Sequence, residues 1–171
     1  RAGCFPAIPE KLRKKLLTGT RDVRRSATMR VFQHFTLGSK TFSQTYQLPA
    51  EFGTESVLLT QDRANISEAV RARLERSGHP LAVFTARPSR PPREVGDAIV
   101  GYAPEAEMAL ALVGMENIPL LAFGKLAYIA SQHHLDPEAL VKPSPFHALA
   151  ASLAAWTGGE LSALQAAYAW Y

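Results

Sequence analysis

One cysteine, Cys4, is the entire thiol content of this 171-residue chain. A lone cysteine excludes an internal disulfide framework and any multi-cysteine zinc site, and it suits a reducing, cytoplasmic setting. The chain also lacks a run of 18 apolar residues, so no membrane span is expected. Its histidines (His34, His79, His133, His134 and His147) show no spacing for a shared metal, and adjacent His133 and His134 point in different directions at a helix end. There is no glycine-rich phosphate loop, no Gly-x-Ser-x-Gly elbow and no Asp-x-Asp. The first residue is Arg1 rather than Met, and no secretory apolar segment opens the sequence. A processed product or a fragment of something longer is the expectation.

What is present is ordinary globular material, with 47% hydrophobic and 20% charged residues. That composition suits one compact domain, with or without a small appendage. The net charge of +4 is unevenly spread, because residues 1–30 carry nine Lys or Arg against Glu10 and Asp22. A basic arm of this kind can attract nucleic acid, another polyanion or anionic lipid. A solvated helix face beside a loop is the plainer reading of the same residues.

Along the chain, "IPEKLRKKLLTG" reads as a short amphipathic helix, with Ile8, Leu12, Leu16 and Leu17 on one side and Gly19 as its stop. "MRVFQHFTLGSKTFSQTYQLP" reads as a hairpin around "LGSK" or as a packed loop. From Ser56 the pattern sharpens. "SVLLT" is a short buried-strand candidate, and "NISEAVRARLERSG" is a helix capped by Ser67 and ended by Gly78. "PLAVFT" is an apolar run of the kind expected for a strand covered on both faces. "APEAEMALALVG" is helical to Gly114, "IPLLAFG" is a buried strand, and "KLAYIASQHH" is helical. Asp136 and Pro137 open a further turn, Leu140 and Val141 make a short strand or its remnant, and Ser144 with Pro145 opens the next helix. "GELSALQAAYAWY" is the last helical stretch.

Strands alternating with helices predict an α/β fold, an open parallel sheet with helices on both faces. In such sheets ligands sit outside the carboxyl ends of the strands. Thr85 and Lys142 both fall at such ends. A threonine there can offer its hydroxyl and nearby backbone N–H groups to a phosphate oxygen, or it can simply bond its own turn. A lysine before a helix start can hold an anion together with the helix dipole, or it can be an exposed loop residue.

Taken as a pair, "PLAVFTARPS" and the later "LVKPSP" resemble the second and third motifs of the haloacid-dehalogenase-like (HAD-like) superfamily, over roughly residues 56–160. The resemblance implies a Rossmannoid core at 56–171, with residues 1–55 as a cap or linker whose Phe- and Tyr-rich part helps select substrate. It implies a Mg²⁺-dependent phosphohydrolase acting on a small phosphorylated metabolite through an aspartyl-phosphate. Thr85 and Lys142 become the catalytic phosphate ligands, with Ala86 and Arg87 binding substrate. The first motif of that family is Asp-x-Asp, and this chain has none. "VLLTQD" offers only Thr60, with Asp62 two residues on, and a neutral Thr needs an activating base to attack phosphorus. No acidic fourth motif is found, and Asp22, Asp62, Asp97 and Asp136 form no cluster suited to magnesium. The nucleophile is therefore expected outside the chain. The rival expectations are a HAD-like scaffold without catalysis and polyanion binding through residues 1–30.

Overall fold

The computed structural model describes residues 7–17, 22–96 and 100–171, with the backbone alone at 14–17. Cys4, the Gly19 stop and the side chains of Leu16 and Leu17 lie outside the described residues. In chain order the elements are α1 (Glu10–Leu17), α2 (Ala27–Leu37), α3 (Ser39–Tyr46), α4 (Val57–Thr60), α5 (Glu68–Arg76), β1 (Val83–Phe84), a 3₁₀ turn (Arg93–Val95) and α6 (Glu105–Val113). There follow β2 (Leu120–Leu121), α7 (Phe123–His133), α8 (Pro137–Leu140), α9 (Pro145–Thr157) and α10 (Glu160–Trp170).

The expected open sheet does not form. Among the described residues 56% are helical and 3% lie in strands. The sheet they form is one parallel pair, Val83 opposite Leu120 and Phe84 opposite Leu121. Local hydrogen bonding explains much of the difference. The hydroxyl of Ser56 accepts from the Leu59 N–H and donates to the Thr36 carbonyl, so "SVLLT" winds into the capped turn α4. Leu58 is then buried while Leu59 is 48% exposed, which is one-sided helical burial and not that of an interior strand. Asp136 accepts from the Glu138 N–H, and this cap carries Leu140 into α8. The Val141 carbonyl closes a turn with Ser144 rather than joining a ladder.

The "LGSK" hairpin is likewise replaced by two helices. Ser26 caps α2, and Gly38 at φ 77° turns the chain from α2 into α3. A side chain at Gly38 would meet the backbone nitrogen of Ser56 at 2.8 Å, so close packing reinforces the need for glycine. The reading of "PLAVFT" needs a smaller correction. Phe84 is 42% exposed, so one face of β1 is only partly covered.

The main core joins β2 to α7, α9 and α10 through Leu121, Ile129, Phe146 and Leu164. Ala150, Ala154, Ala163 and Ala167 are buried in the same cluster, and their small side chains allow close helix packing. A second cluster gathers Val23, Leu37, Phe42 and Tyr46 against Ala103 at the start of α6, tying the early helices to the rest. Two glutamates lock the 3₁₀ turn to α10. Glu94 accepts from the N–H groups of Glu160 and Leu161, and Glu160 accepts in return from the N–H of Arg93 and that of Leu120. These bonds satisfy donors that a helix start and a strand start leave open. Among the described residues no helix is long and apolar enough to cross a membrane.

Candidate ligand-binding site

The alternation of β1 distributes the residues that follow it. Ala82 and Ala86 pack toward the α7–α10 core, and the Phe84 ring meets His147 edge-on at 5.2 Å. Val83, Thr85 and Arg87 line a cavity on the other side, against α6. The Thr85 N–H donates to the Leu121 carbonyl at 3.0 Å, continuing the ladder by one bond. Its hydroxyl oxygen accepts from the Arg87 N–H at 3.3 Å, a local bond that starts the loop. The Ala86 side chain faces the core, so any part it has in binding comes from its backbone.

Arg87 is the best-defined charged group here. Its Nη1 donates to Glu105 Oε1 at 2.8 Å, and the Glu105 side chain is 5% exposed while that of Arg87 is 48% exposed. The second oxygen of Glu105 accepts from Gln33 Nε2, and Gln33 Oε1 accepts from the Tyr46 hydroxyl. Burial, and then the nearby Glu105 charge, push the Tyr46 phenol above its ordinary range, so it stays a donor. This buried chain of bonds fixes Arg87 by one nitrogen, and among the described residues no other side-chain hydrogen bond of Arg87 is found. Cavities of about 250 Å³ and about 350 Å³ both open at Arg87. The larger one also has Phe32, Phe35 and Asp62 in its wall.

Lys142 occupies the other face of β1. Its Nζ lies 5.1 Å from the centroid of the Phe84 ring, a cation–π contact. The Lys142 N–H donates to His147 Nδ1 at 3.4 Å, and His147 Nε2 donates to the Leu121 carbonyl at 2.9 Å. The first bond requires the neutral ring, with Nδ1 free to accept, whereas the second needs only the proton on Nε2. Burial holds His147 below the ordinary imidazole range; its bond to Leu121 opposes that shift and the Lys142 charge adds to it. Among the described residues no hydrogen bond or ion pair joins Lys142 to Thr85 or Arg87, and no carboxylate pairs with its ammonium. The geometry thus brings Thr85 and Arg87 to one cavity and sets Lys142 across the strand from them.

A second cluster of charge grows from the same loop. Lys125 Nζ, on a side chain only 1% exposed, donates to Glu107 Oε1 and the Arg90 carbonyl and lies 3.8 Å from Glu160 Oε2. Glu160 also pairs with Arg93 Nε at 3.1 Å. Glu105 and Glu107 both sit in the first turn of α6, where the sequence shows only two acidic residues suited to a helix start. Their long-range partners carried no sequence signal. Among the described residues no three His, Cys, Asp or Glu side chains gather as a metal site, so the magnesium implied by the resemblance finds no ligand set there. No family model, curated protein or solved structure matches the chain.

Proposed function

We propose that this chain binds a small phosphorylated metabolite at Arg87 and Thr85, as the phosphate-holding part of a phosphohydrolase whose attacking carboxylate lies outside this sequence. The observation that carries the reading is a half-exposed arginine held through one nitrogen by a buried network, with its side chain in the wall of two cavities. A guanidinium so fixed binds phosphate or carboxylate oxygens in a fork, and a charge-assisted bond of this kind contributes about 1.5–3 kcal/mol. The Thr85 hydroxyl can add a further donor, since its bond to Arg87 uses only the oxygen lone pair. Lys142, with no carboxylate partner among the described residues, adds positive potential from across β1.

Thr85 has no base among its described partners, so its role is binding and not attack. The experiment is a calorimetric titration with methyl phosphate. Arg87→Gln is expected to weaken binding at least tenfold, and Lys142→Ala by a few-fold in a salt-dependent manner. Equal affinity for the unmutated protein and Arg87→Gln overturns the reading. The intact protein releasing phosphate separates the hydrolase from a domain that only binds.

A further inference from the structure

We infer that the cavity between β1 and α6 takes the hydrocarbon part of that ligand, making the substrate class an alkyl or acyl-chain phosphate rather than a sugar phosphate. The inference rests on the reading that Arg87 and Thr85 hold the phosphate.

The cavity has a volume of about 250 Å³, and its walls are apolar side chains, Val83, Leu110, Val113 and Leu120 among them. Thr85 and Arg87 supply its polar side-chain groups. An anionic head and an apolar tail are therefore accommodated side by side. At about 30 Å³ for a water-sized group, the space admits a chain of several methylenes. A sugar placed there would leave hydroxyls without partners, whereas a hydrocarbon chain leaves none. Small apolar-walled sites with a few convergent polar groups are the usual form of a ligand pocket. The larger cavity at Arg87 fits this ligand less well, because Asp62 stands in its wall and would repel an anion.

The test is calorimetry of straight-chain alkyl phosphates from methyl to hexyl, with glycerol phosphate as the polar comparator. Affinity is expected to rise about fourfold per methylene until the cavity is full, with glycerol phosphate no tighter than methyl phosphate. Ala109→Phe, which fills the space from α6, is expected to bind methyl phosphate within twofold of the unmutated protein and to flatten the series. A flat series in the unmutated protein, with methyl phosphate bound through Arg87, overturns the tail site and leaves the phosphate reading standing. A rise that persists in Ala109→Phe places the tail elsewhere and also overturns it. Failure of methyl phosphate to bind at all removes both.

Discussion

The cluster around Lys125 and the cleft around Arg87 grow from the same loop and the same first turn of α6, yet they use charge in opposite ways. Lys125 is buried, and carboxylates and a carbonyl surround its ammonium. Arg87 is half exposed and meets one carboxylate through one nitrogen. Glu107 serves the first and Glu105 the second, two residues apart on one helix. A cation whose donors are all taken up inside the protein has none left for a ligand, although Glu107 Oε2 beside it is buried without a hydrogen-bond partner among the described residues. Charge fixed on one side and open on the other is preorganised for binding.

The comparison breaks most visibly at Lys125. Lys125→Met leaves the Glu107 and Glu160 carboxylates without their shared cation, and a loss of about 3–5 kcal/mol in denaturant-unfolding stability is expected. A change under about 1 kcal/mol would remove the structural role given to this cluster. Arg87→Lys probes the other side, since Glu105 keeps a cation while the fork is lost. Methyl phosphate affinity is expected to fall about tenfold, with stability changed by less than about 1 kcal/mol. A smaller contrast comes from Ser144, whose hydroxyl accepts from the Phe146 N–H at the start of α9. Ser144→Ala is expected to cost about 1 kcal/mol of stability and to leave phosphate affinity unchanged.

His147 and His34 are buried, and burial lowers the affinity of each ring for a proton in the folded state; at His34 the Glu51 charge opposes this and the Arg30 charge adds to it. The unfolded chain therefore binds more protons as pH falls below the ordinary value of 6.5. Their contribution to stability is complete above 6.5 and declines as pH falls from there toward the folded-state values. Urea titrations between pH 7.5 and 5 are expected to show that decline, with a shallower slope in His147→Gln. An unchanged slope in the variant would exclude His147 as a source.

The sequence made the caps readable because their chemistry is local. Ser67, Asp136, Ser144 and Gly114 each act within a few residues, and α5, α9, the start of α8 and the end of α6 lie where they were expected. The strands expected at "PLAVFT" and "IPLLAFG" also appear, shortened to two residues each, and the end of the second already belongs to α7. "SVLLT" was ambiguous because a short apolar run reads as strand or helix, and Ser56 decided it through a bond to Thr36, 20 residues away. The α2–α3 pair was obscured by aromatics, Ser and Thr, which are weak helix formers held here by packing on Ala103. Thr85 and Arg87 were legible as residues at a strand end and its loop, whereas Lys142, expected after a strand at Leu140–Val141, follows α8 and lies across β1 from them. Glu105 and Gln33, 72 positions apart, meet only through the fold.

An Arg87 held open for a phosphate is read out in the thermal midpoint of unfolding, compared in phosphate and in chloride at matched ionic strength. Selective binding to the folded state raises that midpoint with concentration. The expected result is a phosphate-specific rise in the unmutated protein that disappears in Arg87→Gln. The same rise in both proteins, or in neither, contradicts the account.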